Sequence, residues 1–485
     1  LTHLLQRLSA TPLHPIILAA YPVLALFARN IEETSPAMMI RPLFVTISLA
    51  LLLLGLSWLV LRDRHRAALL ASLGLILFFS YGHVYGSLKA YVRLGEVVGR
   101  HRYLALVWAT VGIAGALWIR RVRDPGRLTP SLNVLALLLL ILPSLQIVSH
   151  GGQIPRANLA PERTGDQAPP PRAPPPQAPA AMPDIYYIIL DAYTRDDILR
   201  MSYGLENEPF LRELEARGFC VARCSQSNYA RTSLSLGSSL NMAYLEDFFP
   251  RDDTIGMSAF IRHNAVRSFL EQAGYRIVAI DSGYPSTQWP DADVYLQPSG
   301  LPALRAASLA GATPFEGLLF RTTAGAILLD SGSSLGRSLT ALIENSPKVD
   351  RYHEITAVLN ALEEAPDLAG PKFVFAHIRI PHDPYIFARD GRFLPDQEAH
   401  HPGYPDQVTY LNSRILPIID GILERSAVPP VIVLQGDHGS PELRTDGRRM
   451  DILNGYHLPG DGSRRLYPTV TPVNSFRIIF DHIGT

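Results

Sequence analysis

Four short stretches of this 485-residue chain hold side chains that could do chemistry together. Gly436–Ser440 reads GDHGS directly after the apolar run PVIVLQ, so Asp437 and His438 stand together at a strand end, where both can reach one cation. The flanking glycines are expected to let the backbone turn sharply there. Asp191 ends another apolar run, DIYYIIL. A carboxylate leaving a buried strand is either a helix cap or, paired with Asp437 and His438, a metal ligand, and the pairing favours the ligand. Thr232, in NYARTSLSLGSSLNM, lies where an irregular stretch turns into a helix. A hydroxyl there is close to unpaired N–H groups and the positive helix end, which suits a phosphate or sulfate, and the same place also suits an N-cap. In HIRIPHDPY, His382 sits in a proline-constrained loop. From there it could donate to an oxygen of a transferred group or protonate a leaving oxygen. His377, at a strand end, is expected to be a packed histidine. His457, in LNGYHLPG, is a candidate extra ligand or substrate contact.

Four apolar runs are expected to be strands that position these residues: Asp184–Leu190, Tyr275–Ile280, Lys372–His377 and Pro430–Gln435. Apolar-periodic stretches such as Phe260–Ala273 and Gln407–Arg425 lie between them and read as helices. Short apolar strands alternating with helices predict a mostly parallel α/β sheet. In such sheets ligands collect beyond the carboxyl ends of the strands, which is where Asp191, the His377–His382 segment and Asp437-His438 fall. Residues 301–348 are rich in Ala, Leu, Gly and Ser and carry no motif. Helical packing is expected there, with a surface resting on a membrane as the alternative.

The first 150 residues are of another kind. A membrane-crossing helix needs about 20 mostly apolar residues. Pro42–Leu61, Ala67–Tyr85, Tyr103–Ile119 and Ser131–Ser149 meet this, and Pro12–Phe27 is a shorter fifth candidate that contains His14 and Pro22. Five spans are therefore expected. Arg62, Arg64 and Arg66 follow the second, and Arg120, Arg121, Arg123 and Arg127 follow the fourth. By the positive-inside rule both clusters are cytoplasmic if the N-terminus is inside. The basic loop SLKAYVRLGEVVGRHRY would then face outward, either solvated or lying in the interface as an amphipathic helix. Residues 151–182 contain APPPRAPPPQAPAAMP, a sequence that favours extended polyproline II and serves as a spacer. The expected organisation is a membrane domain over 1–150, a Pro-rich linker over 151–182 and a catalytic domain over 183–485.

Composition narrows the function classes. Forty-four basic residues balance 44 acidic ones, so nothing points to nucleic acid. Cys220 and Cys224 are the only cysteines, too few for a disulfide framework or a four-ligand zinc site.

In this order the four blocks resemble the alkaline phosphatase superfamily, and within it the sulfatase-like branch that includes lipoteichoic acid synthases and lipid A phosphoethanolamine transferases. The resemblance runs from Asp184 to about Phe480, and its blocks are specific together rather than singly. It implies about five N-terminal helices and an extracytoplasmic α/β catalytic domain. It also implies one divalent metal held by Asp191, Thr232, Asp437 and His438, with Thr232 as nucleophile and His382 near the substrate oxygens. A mostly oxygen ligand set fits Mn²⁺ or Zn²⁺, and Mg²⁺ as well.

The chain also departs from relatives within that superfamily. No C/S-x-P-x-R sequence lies near Thr232, and Asp191 is followed by Ala192 rather than a second acid, which speaks against a formylglycine sulfatase. No second Asp/His set of the two-metal phosphatases stands out. The expected function is transfer of a phospho-head-group, phosphoglycerol or phosphoethanolamine, from a phospholipid to an envelope glycan or lipid through a phospho-threonine. The expected setting is a bacterial-type inner membrane with the catalytic domain periplasmic or extracellular. Hydrolysis of phosphate or sulfate esters at the same site is the alternative, and a non-catalytic membrane-anchored scaffold is the alternative of another class.

Overall fold

The computed structural model describes residues 11–31, 34–90, 101–152, 182–249, 256–297, 311–394, 403–443 and 447–484. The Pro-rich stretch 153–181 and the loop 91–100 lie outside the described residues. The chain divides into two compact units: 1–153 together with 307–347, and 154–306 together with 348–485.

The first unit is helical. Among the described residues, four helices are long and apolar enough to cross a membrane: Pro36–Leu61, Arg64–Lys89, His101–Arg121 and Pro125–Ser149. The fifth expected span, His14–Arg29, is 16 residues with Pro22 inside it. At 1.5 Å per residue it reaches about 24 Å, less than the hydrocarbon thickness of about 30 Å. It packs inward, with Ala19 and Val23 fully buried. Span and arginine cluster positions agree, because Arg66 donates to the Val122 carbonyl oxygen and His65 meets Thr129, which puts both clusters at one end of the bundle. Residues 311–343 of the later half of the chain join this unit. They contribute the helices Pro314–Arg321 and Ala326–Leu329 and the start of Ser334–Glu364.

The second unit is a seven-stranded sheet. Its strands are β1 (Ile185–Leu190), β2 (Cys220–Val221), β3 (Arg276–Ile280), β4 (Val294–Leu296), β5 (Lys372–Ile378), β6 (Val431–Gly436) and β7 (Asn454–His457), in the order β2-β7-β6-β1-β5-β3-β4. The run from β6 to β4 is parallel, and β7 pairs antiparallel to both β6 and β2. The four expected strands are β1, β3, β5 and β6 to within a residue at either end. β1 is central and buried on both sides, which explains its unbroken apolar sequence. Each fully buried Ile or Leu in it contributes about 1.5–3 kcal/mol. Ile188 and Leu190 face one layer, with Leu411, Ile415 and Ile418 of helix Tyr404–Arg425 and Val358 and Leu362 of helix Ser334–Glu364. Ile185, Tyr187 and Ile189 face the other, with Leu236 and Leu240 of helix Thr232–Asn241 and Phe476 and Ile479 of helix Pro472–Ile483. The single helix expected over Phe260–Ala273 is two, Met257–Arg262 and Ala265–Gln272. Asn264 separates them by accepting the Arg267 N–H at 2.7 Å as an N-cap.

Candidate active site

Parallel register brings the chemistry together. Leu190 pairs with Gly436, so Asp191 leaves β1 beside the point where Asp437 leaves β6. Ile189 pairs with His377 on the other flank. Strand alternation then sets the face: Ile189 and Asp191, Phe375 and His377, Val433 and Asp437 share the layer covered by helix Thr232–Asn241. That helix begins at Thr232, so its hydroxyl meets the strand ends.

The resulting cluster is buried. Asp437 is 0% exposed, His438 1%, Asp191 7% and Thr232 8%. His438 Nε2 lies 3.3 Å from Thr232 Oγ1, 3.6 Å from Asp437 Oδ2 and 3.7 Å from Asp191 Oδ1. His438 Nδ1 is 2.9 Å from the Gly439 carbonyl oxygen, which can only accept a hydrogen bond. A proton on Nδ1 meets that acceptor, and Nε2 faces the two carboxylates. Asp437 Oδ1 accepts the N–H groups of Ala192 and His438, each at 2.9 Å. Among the described residues, its Oδ2, Asp191 Oδ1 and His377 Nε2 are buried without a hydrogen-bond partner. Two triads, Asp191–His377–Asp437 and Asp191–His382–His438, have ligand atoms within 4.8 Å of one another. Two converging carboxylates with bare oxygens, beside an imidazole nitrogen, could hold a divalent cation.

The electrostatics agree. Burial alone would raise the Asp191 pKa, but His382, His377 and His438 outweigh it and hold the carboxyl well below the usual range. His382 is pushed up to about 9, because Asp191 and Asp383 more than offset the cost of burying its charge. Its Nδ1 contacts the Asp383 carbonyl and carboxylate oxygens, both at 2.8 Å.

Backbone detail shows what holds the centre in place. Ala192 has φ 66°, a left-handed conformation that costs a non-glycine residue energy, and its two polar groups are fixed by Asp437 and by the Tyr404 hydroxyl. Gly436 and Gly439 are not needed for a sharp turn, since neither has positive φ. Gly436 is needed for close approach, because a Cβ there would lie 2.4 Å from the Tyr193 carbonyl oxygen. Thr232 is not an N-cap: Arg231 holds that position and makes no side-chain cap. The hydroxyl of Thr232 is left to face His438.

The other expected residues divide. His382 joins the cluster, its ring 5.7 Å from that of His438. His377 is packed, as expected, but its Nε2 also points at Asp191 Oδ2 from 3.6 Å while Nδ1 meets Thr287 Oγ1 at 3.0 Å. His457 does not reach the site. It pairs with Ile432 at the start of β6, five residues before Asp437 and so about 17 Å away at strand rise. There its Nδ1 meets the Pro430 carbonyl oxygen at 2.7 Å. Two residues that the sequence did not signal hold the His382 loop. Buried Gln407 donates to the Pro381 and His382 carbonyl oxygens at 3.1 and 3.3 Å, and Arg351 donates to the Arg379 carbonyl oxygen at 2.6 Å. Burial and then Arg379 push the Arg351 pKa down to about 9.

No protein-family description matches the chain, and no curated protein matches it. Its likenesses are to solved structures of enzymes. The C-terminal periplasmic domain of EptC from Escherichia coli is 13% identical, with a TM-score of 0.40 over 62% of this chain and 82% of that one. Lipooligosaccharide phosphoethanolamine transferase A, an integral membrane protein from Neisseria meningitidis, is 12% identical, with a TM-score of 0.38 over 92% and 87%. Phosphonate monoester hydrolase of Agrobacterium radiobacter is 12% identical, with a TM-score of 0.38 over 62% and 74%. These are distant likenesses.

Proposed function

We propose that this membrane protein is a metal-dependent enzyme that transfers a phospho-head-group from a phospholipid through Thr232. The observation that supports this most is the meeting of Thr232 Oγ1, His438 Nε2, Asp191 Oδ1 and Asp437 Oδ2 in one buried cluster whose two carboxylate oxygens have no protein donor. Asp191, Asp437, His438 and Thr232 would hold one divalent ion, Mn²⁺ or Zn²⁺ by ligand type, with Mg²⁺ as a third fit. When bound, it supplies a lowered hydroxyl pKa and positive charge for the phosphoryl oxygens.

The remaining work falls to the chain itself. Thr232 Oγ gives up its proton and forms a bond to phosphorus in line with the leaving lipid oxygen. The bond between phosphorus and that oxygen breaks, the oxygen takes a proton, and the products are Thr232 carrying the phospho-head-group and a diacylglycerol. The first N–H groups of helix Thr232–Asn241 have no carbonyl partner within the helix and would be free to donate to the equatorial oxygens. His382, whose pKa Asp191 and Asp383 raise, donates to a phosphoryl oxygen or protonates the leaving oxygen. Gln407 and Arg351 hold its loop in place. In the second half, an alcohol of an envelope glycan or lipid displaces Thr232, and water in its place gives hydrolysis.

A periplasmic or extracellular catalytic half is supported by unit one. Residues 311–330 pack at the ends of the spans away from the arginine clusters, with Ala324 N–H on the Phe78 carbonyl oxygen and Asp330 on His101. The last span, Pro125–Ser149, begins beside the second arginine cluster and so ends on the other side, which supports an exit away from the basic side.

The test uses the purified full chain. Metal content is measured, and the chain is then given phosphatidylethanolamine and phosphatidylglycerol labelled in the head group, side by side, with and without an acceptor alcohol. Label trapped on the peptide containing Thr232 and passed to the acceptor is the expected result. Label released only to water assigns a hydrolase, and a protein without metal or turnover removes the enzyme reading.

A further inference from the structure

Residues 311–343 raise a separate question, because they follow the expected linker in sequence yet fold with the membrane helices. Phe315 and Leu319 are buried against Val23 and Phe27 of helix His14–Arg29. Arg41, near the start of span Pro36–Leu61, makes a two-pronged ion pair with Glu316 and donates to the Gly311 carbonyl oxygen at 2.6 Å. The Arg321–Thr322 backbone lies so close to Gly82 that a Cβ there would be 2.3 Å from the Arg321 carbonyl oxygen.

These contacts give the segment a depth. Counted from Arg66 at the basic end, Phe78 lies about 18 Å and Gly82 about 24 Å along the helix at 1.5 Å per residue, against an apolar slab of about 30 Å. The segment therefore reaches the outer third of the slab. Chain at that depth must satisfy its own polar backbone, and both ends of helix Pro314–Arg321 are paired in this way. Thr313 and Glu316 form a capping box at one end of helix Pro314–Arg321. At the other end the Thr322 and Thr323 hydroxyls donate to the Leu319 and Phe320 carbonyl oxygens at 2.7 and 2.8 Å. Ala324 N–H bonds the Phe78 carbonyl oxygen at 2.8 Å and Gly325 N–H the Thr323 hydroxyl at 3.0 Å. Leu318, Leu328, Leu335 and Leu342 are nevertheless 40–58% exposed. Ile40 and Phe44, on either side of Arg41 in a membrane span, are likewise 66% and 73% exposed.

We propose that residues 311–343 form an interfacial saddle embedded in the lipid leaflet opposite the arginine clusters, with these four leucines against acyl chains. The occupant is phospholipid, because the segment that carries these leucines is held against the membrane helices at Val23, Phe27, Arg41, Phe78 and Gly82 and leaves the leucines uncovered there. The saddle is independent of the chemistry assigned to Thr232.

Two measurements on the full chain test it. In liposomes containing a phospholipid with a photoactivatable diazirine on its acyl chain, illumination and peptide mass spectrometry should find adducts within 315–329 as well as within 40–61. Adducts on the spans with none over 311–343 would overturn the proposal. Separately, with Cys220 and Cys224 replaced by serine, spin labels are placed at Leu318→Cys and Leu328→Cys. Their oxygen-to-nickel-chelate accessibility ratio should be several-fold above that of a label at Glu213→Cys and close to that at Leu56→Cys. A ratio like that at Glu213 means water, and shielding from both reagents means a protein cover. Either result rejects the lipid assignment.

Discussion

The polar groups around Glu316 and those around Asp437 have opposite economies. In the helical unit, Glu316 takes two contacts from Arg41, one from the Thr313 N–H and one from its hydroxyl. In the sheet unit, Asp437 is more deeply buried, yet among the described residues one of its oxygens, one of Asp191 and a nitrogen of His377 meet no donor or acceptor. A buried polar atom left unpaired costs about 1–3 kcal/mol, and more for a charged group. The first arrangement is what folding alone would favour. The second is what a bound cation would complete. Substitutions should therefore lower stability at Glu316 and lower function at Asp437 and Thr232, and that contrast can be broken.

The largest expected effect is on turnover. Thr232→Ala should reduce head-group transfer by roughly 10³-fold or more, as expected for loss of a nucleophile. Thermal stability should fall by less than about 1 kcal/mol, because Arg231 and not Thr232 occupies the cap position. Stopped-assay kinetics and a melting curve on the same protein decide it. A Thr232→Ala chain that still turns over would shift the reaction to an activated water. Asp437→Asn comes next. Asparagine keeps an oxygen for the Ala192 and His438 N–H groups and removes one charge from the facing pair. Elemental analysis should then show metal content well below that of the parent. The metal-free variant should be as stable as the metal-free parent, or more stable by about 1 kcal/mol, because like charges that cannot both be accommodated are relieved. Strong destabilisation of the metal-free form would mean that Asp437 is structural.

How much of this was legible in the sequence follows from the range of each contact. β1, β3, β5 and β6 could be read because strands buried on both faces are apolar runs bounded by polar residues. The same property hid their facing. With no alternation to read, nothing marked His377 as sharing a face with Asp191 and Asp437, and only the register of β1 and β5 reveals it. His457 misled for the converse reason: it follows Asp437 closely in sequence, but β7 runs antiparallel and carries it to the far end of β6. Gln407 and Arg351 act through backbone carbonyls, which leave no motif. Residues 311–343 were opaque because their partners, Arg41, Phe78 and Gly82, lie more than 200 positions earlier, and an Ala-, Leu- and Gly-rich stretch reads alike whether it packs on helices or on a sheet.

The smaller effects sharpen the other side of the contrast. Glu316→Gln keeps the shape of the side chain but removes the charge that Arg41 faces. Hydrogen bonds to charged groups contribute about 1.5–3 kcal/mol. With side chains a third and a fifth exposed, solvent screening favours the low end of that range. The unfolding midpoint in detergent should drop accordingly, while metal content and the Thr232-dependent rate per folded molecule stay at the parent level. Thr313→Ala should be smaller still, about 1 kcal/mol, the usual cost of an N-cap. It removes the hydroxyl that accepts the Glu316 N–H at 3.2 Å but leaves the Thr313 backbone N–H on Glu316 at 2.8 Å. Combining the two substitutions gives the decisive comparison. Both act on one carboxylate, so their losses should fall short of additive, whereas Thr313→Ala with Asp437→Asn should add within about 0.5 kcal/mol. Additivity in the first pair would show that the capping box and the Arg41 ion pair are independent supports. Coupling in the second would show that the polar groups of the two units do not answer to separate demands.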